Sequence, residues 1–226
     1  MNSSYPPFTR ELPRWQVLLV LVGFPTLYLA NSFTPWSLGL FGQSDRSWYI
    51  PFWTSIVLLH WVTAAITLWF LFQAGGTLSA IGLNLTPLRV ALSCIALAAV
   101  AGLLLWLRTT WPLPEEPPRD WQIIYPFTTA ERVFILFGSC TAGICEELIY
   151  RGFAIRVLQG RGVPTWLAIL LAGISFSLVH GIAGVILFPI YMAFALVFSG
   201  IFLWRGSLLA AVLVHTLWDM MMVLAV

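Results

Sequence analysis

Three groups of ionisable residues stand inside long apolar runs: Glu146-Glu147-x-x-x-Arg151, Phe176-x-x-x-His180 and His215-x-x-x-Asp219. Charge surrounded by hydrocarbon is costly, so each group needs a partner or a function. Glu147 and Arg151 are four residues apart, hence on one helix face, where a carboxylate and a guanidinium can pair and stay charged. Glu146 is turned about 100° away and has to find another partner. A carboxylate beside an imidazole can hold a water and take its proton, and His180 is the natural imidazole. His215 and Asp219 also share a face, from which they could offer hydrogen bonds to a developing oxyanion.

The elements that must carry these groups are membrane helices. Of 226 residues, 60% are hydrophobic and 9% charged, with a mean hydropathy of +0.90, against about 45–50% and 25% in an average globular chain. The expected fold is all-α: a polytopic transmembrane helix bundle in one integral membrane domain, 1–226, with a polar mid-membrane cavity. Hydropathy and chain breakers predict about seven spans, near 15–32, 50–73, 88–107, 132–157, 165–180, 184–203 and 207–225. The net charge of +2 comes from arginines alone, with no lysine and no basic block, so a nucleic-acid partner is not expected. The lipid bilayer is.

Depth within these spans can be compared by the helical rise. From the edge shared by the fourth, fifth and seventh spans, Glu146 lies about 18 Å in, His180 about 22 Å, His215 about 12 Å and Asp219 about 18 Å. All four can meet near mid-membrane. His60 has no other ionisable residue in its span and reads as a packed, hydrogen-bonded histidine. Arg156, close to the end of its helix, reads as a residue snorkelling to the interface. Cys94, Cys140 and Cys145 are too few and too apolar in setting for a disulfide framework or a metal site, and read as small buried residues. Cys145, beside Glu146, keeps a minor claim as a nucleophile.

Arg10 and Arg14 precede the run 15–30, which reads as an uncleaved signal anchor. The stretch 33–49 is an ordinary loop. The proline-rich stretch 108–132 reads as a linker or lid, with Trp111, Trp121 and Tyr125 as interfacial anchors. Arginine counts outside the spans favour a cytoplasmic N-terminus in a multi-pass cell-membrane protein.

The order and spacing of the three motifs, Glu146-Glu147-Leu148-Ile149-Tyr150-Arg151-Gly152-Phe153, Phe176-Ser177-Leu178-Val179-His180 and His215-Thr216-Leu217-Trp218-Asp219, resemble those of the CPBP or ABI family. These are membrane glutamic endopeptidases that include the CAAX prenyl-protein endopeptidases and bacteriocin-processing or immunity proteins. The resemblance covers about 132–222, with a weaker echo in Leu78-x-x-Ile81-Gly82-Leu83. It implies that Glu146 and His180 activate a water, that His215 and Asp219 line the oxyanion site, and that Glu147 and Arg151 buttress the helix. Many members look to have asparagine at the position of Asp219; an ionised aspartate would repel an oxyanion, so Asp219 must be protonated or position His215.

The reading is therefore an intramembrane endopeptidase, without metal or other cofactor, acting on a protein or peptide that is lipidated or membrane-anchored. The alternatives are a zinc-dependent membrane protease using His180, His215 and Glu146, a thiol enzyme through Cys145, a proton-coupled transporter, and a non-proteolytic immunity or scaffold protein. No His-Glu-x-x-His helix supports zinc.

Overall fold

The computed structural model describes residues 10–33, 47–110 and 126–224. The predicted lid and its aromatic anchors at 111–125, and most of the first loop, at 34–46, lie outside the described residues. Every described element is helical. α1 runs over 14–31, with a π-helical stretch at Leu19–Gly23 just before Pro25, whose missing N–H removes a ladder bond. α2 is Tyr49–Gln73, α3 Pro87–Thr110, α4 Thr129–Gly160, α5 Thr165–Leu178, α6 Gly181–Ile186, α7 Phe188–Arg205 and α8 Leu208–Leu224.

Among the described residues α2, α4 and α7 are long and apolar enough to cross a membrane, and shorter apolar helices lie at Pro87–Leu103, Thr165–Leu178 and Leu208–Met221. The surface shows which solvent the bundle suits. Leu88, Ile95, Trp106, Ile186 and Trp204 are exposed, while Glu146, Glu147, Arg151, His60 and His215 are buried. Water would favour the reverse; hydrocarbon favours this arrangement, a helical membrane bundle whose polar groups face one another.

In lipid, apolar contact alone does not drive helices together, so close packing by small residues and interhelical hydrogen bonds must do so. α4 is the central helix and touches α1, α2, α5, α7 and α8. An added Cβ at Gly143 would come within 2.1 Å of Thr216 Oγ1 on α8, and one at Gly152 would press on Ile81 and Leu208. The turn that holds Ile81 ends at Gly82, whose φ of 79° suits only glycine well, and the Gly82 carbonyl accepts from the N–H of Leu208 at 2.9 Å. The Leu78-x-x-Ile81-Gly82 segment thus seats α8 against α4.

α4 exceeds its predicted bounds at both ends. Thr128 and Glu131 form a reciprocal capping box that starts it ahead of residue 132. Its backbone widens into a π-helix over Glu147–Ala154, all buried. α5 stops before His180, and the predicted sixth span, 184–203, divides into α6 and α7. α5 ends in the turn after His180, where Gly181 has φ 63° and an added Cβ on Gly184 would lie 1.8 Å from the Ser177 carbonyl, whereas α6 and α7 part at Leu187, just ahead of Pro189.

The described residues also enclose an apolar cavity. That cavity, of about 230 Å³, lies between α3, α4 and α8, and is lined by apolar side chains such as Leu97, Ile144 and Val212. The cysteines meet the expectation of burial in part. Cys145 is buried, Cys140 half-buried and Cys94 exposed, because Cys94 sits on α3, which packs mainly on α8 and leaves much of its surface outward. Arg156 does not reach out as a snorkelling residue. It is half-buried, bonds Gln159 at 3.0 Å and lies 5.1 Å over the Phe202 ring.

Candidate active site

Five of the six residues named from sequence, Glu146, Glu147, Arg151, His215 and Asp219, form one cluster, and a histidine that sequence reasoning set aside completes it. α4 supplies both glutamates and Arg151. Glu147 Oε1 lies 2.9 Å from Arg151 Nη1 and 2.8 Å from His215 Nδ1. One carboxylate oxygen therefore holds the guanidinium on its own helix and the imidazole on α8. The Arg151 guanidinium lies 4.1 Å over Phe176 and 5.4 Å from Phe198, so aromatic faces enclose the charge that Glu147 balances.

His215 is fixed in plane as well as in position. Its ring stacks on Phe198 at 4.5 Å and meets Phe176 edge-on at 6.0 Å. With Nδ1 bonded to Glu147, Nε2 points between two further carboxylates, 3.5 Å from Asp219 Oδ2 and 4.0 Å from Glu146 Oε2. Asp219 is the most open of the group, its side chain 30% exposed.

The partner of Glu146 is not the one expected. Its Oε1 is 2.8 Å from Nε2 of His60 on α2, and no direct contact to His180 is formed. His60 Nδ1 faces the Ile56 carbonyl at 2.8 Å. A carbonyl only accepts, so Nδ1 carries a proton, and the Glu146–His60 contact needs one more. His60 is packed and hydrogen-bonded as expected, but its partner, an ionisable residue of another span, was not foreseen. A usable signal was present: measured back from the predicted end of its span at 73, His60 lies about 20 Å from the same membrane edge as Glu146.

His180 stands just beyond α5. Its Nδ1 faces the Phe176 carbonyl at 2.9 Å, and its ring stacks on Tyr191 at 3.9 Å. A neutral ring so held keeps its Nε2 lone pair free. It remains within electrostatic range of Glu146, His60 and His215. The second oxygens of Glu146 and Glu147 are buried and make no hydrogen bond. Cys145, adjacent in sequence, is fully buried.

No three His, Cys, Asp or Glu side chains among the described residues are grouped so as to hold one metal ion. The zinc set of Glu146, His180 and His215 is therefore not assembled as ligands in this geometry.

Comparison with curated proteins gave no match, nor did comparison with solved structures. Comparison with protein families did: residues 128–221 match the family described as type II CAAX prenyl endopeptidase Rce1-like. The match includes all three motifs and ends before the C-terminus of α8, while His60 falls outside it. Residues 128–221, less than half of the chain, are thus similar to the type II CAAX prenyl endopeptidase Rce1-like family.

Proposed function

We propose that this chain is an intramembrane endopeptidase of glutamic type, hydrolysing a peptide bond of a membrane-anchored protein with a water activated by Glu146 and His180. One observation carries the reading. Glu146 has Oε1 committed to His60, while Oε2 is buried, unbonded and 4.0 Å from His215 Nε2. A buried carboxylate oxygen without a partner has lost its hydration and gained no replacement. A water bound there would satisfy it and stand beside the His215 imidazole.

In the proposed reaction Glu146 Oε2 takes a proton from that water as its oxygen attacks the scissile carbonyl carbon, with the His180 Nε2 lone pair as a second acceptor. The carbonyl π electrons move onto oxygen. The resulting oxyanion is held by the N–H of His215 Nε2, with Asp219 fixing that ring or, when protonated, donating itself. Collapse breaks the C–N bond, and the proton taken by Glu146 passes to the leaving amine. Glu147 and Arg151 hold His215 and do not contact the reacting atoms. A helical substrate has to unwind locally first, because its own hydrogen bonds cover the carbonyl.

The family match supports protease activity at the level of the family. The test is comparative membrane proteomics of cells carrying the wild-type chain, Glu146→Ala or His180→Ala. A precursor that accumulates in both variants supports the reading, and full processing by either sinks it. We also propose a cell-membrane location with the N-terminus cytoplasmic. A reporter fused before Arg10 that labels from the outside would overturn the orientation.

A further inference from the structure

We propose that His60, on α2 and outside the family-matched segment, is a positioning residue for Glu146: it fixes one carboxylate oxygen and thereby leaves the other aimed at the reacting water. This deepens the protease reading and rests on it.

Three observations converge on His60. Among the described residues it makes the one side-chain hydrogen bond that Glu146 has, at 2.8 Å. Its ring is itself oriented, by the Ile56 carbonyl one turn earlier at 2.8 Å and by the edge of Tyr28 at a centroid distance of 5.3 Å. It is also buried, so water does not compete for the contact.

The competing attractions show why such a partner is needed. A glutamate has three rotatable bonds, and holding it in one geometry costs rotamer freedom. The His215 ring lies 4.0 Å from its free oxygen, with the Arg151 guanidinium on the next turn of the same helix. Without a counter-pull, the carboxylate would close on His215 and form an ion pair. Its free oxygen would then be lost, and so would the Nε2–H on which the oxyanion depends. His60 pulls from α2, a different helix from α8, which carries His215. Glu147 cannot supply this force, since its Oε1 is already shared between Arg151 and His215. His180 does not supply it either, being without direct contact to Glu146. The bond ties the base to a helix that carries none of the three motifs.

The experiment uses the full chain in proteoliposomes, with an internally quenched prenylated CAAX peptide as probe. His60→Leu is expected to lower kcat at least 100-fold with KM within threefold. His60→Gln, whose amide reaches about as far as Nε2, should recover at least tenfold over Leu. His60→Asn, whose amide sits at the position of Nδ1 and falls short of Glu146, should not. A Leu variant within threefold of wild type overturns the proposal. If Leu fails to fold, the Gln–Asn comparison decides, and equal rates for those two overturn it. A merely structural histidine would not produce the Gln-over-Asn order at constant KM.

A second readout does not need turnover. With ¹⁵N-histidine labelling, the His60 Nε2 resonance should move on Glu146→Gln, and an unmoved resonance overturns the proposal. A wild-type chain that binds the peptide without cutting it, yet keeps this coupling, sinks the protease reading and the positioning role with it. The intact resonance distinguishes that case from a missing bond.

Discussion

Glu147 and His215 are joined by a 2.8 Å contact between Oε1 and Nδ1, so an acid on α4 sets the orientation of a ring on α8. The same oxygen is 2.9 Å from Arg151. Removing it by Glu147→Ala would strand a fully buried guanidinium, and breaking such a pair from one side costs about 3–5 kcal/mol. Glu147→Ala is expected to unfold many degrees below wild type in a detergent thermal melt. Glu147→Gln, which keeps an acceptor for His215, should lie between them. Equal melting of all three would show that the pair carries no stability.

Gly143 of α4 packs closely against Thr216 of α8. The Cβ of Gly143→Ala would lie 2.1 Å from Thr216 Oγ1 and 3.1 Å from the Thr216 backbone nitrogen. The hydroxyl can rotate away, but the backbone cannot shift without moving His215 next to it. Overpacking of this kind costs about 1–3 kcal/mol, and turnover should fall as well. Gly143→Ala combined with Thr216→Ala should regain part of both, because the nearest clash is removed and the backbone one stays. An innocuous Gly143→Ala in melting and peptide cleavage would contradict the packing described.

How far the sequence could be read depends on the range of the interactions involved. The seven apolar stretches, the Glu147–Arg151 pair and the His215–Asp219 pair follow from local periodicity, since residues four apart on a helix are neighbours whatever surrounds them. The family likeness of 128–221 was legible for the same reason: its motifs are short and local. The Glu146–His60 bond spans 86 residues, and nothing local to either residue points to the other. Only depth, compared between spans, links them. The break after His180 was hidden differently, because Gly181 and Gly184 lie in an otherwise apolar run and hydropathy does not register a positive φ.

Asp219 approaches the same nitrogen of His215 that faces Glu146, at 3.5 Å. Asp219→Asn keeps an oxygen for that N–H and adds an amide donor without charge, so peptide cleavage should stay within about tenfold of wild type. Asp219→Leu removes both functions, and loss of an oxyanion-site group costs about 10²–10³ in kcat. Steady-state kinetics on the two variants gives the comparison. An Asn variant as inactive as Leu would mean that the negative charge itself is needed.

Metal removal separates the two hydrolytic mechanisms. Among the described residues no three potential ligands converge on one point, and the Glu146 carboxylate is engaged by a histidine through 2.8 Å, a hydrogen-bonding distance that leaves no room for an ion between them. Turnover should therefore survive prolonged treatment with o-phenanthroline or EDTA at concentrations that strip a catalytic zinc, with kcat within twofold of the untreated protein. Loss of activity that returns on adding Zn²⁺ would require the unbonded Glu146 Oε2, His180 and His215 to converge on the ion. Cys145→Ser, tested alongside, should be fully active, because a buried, unpaired thiol is not the nucleophile in the proposed reaction.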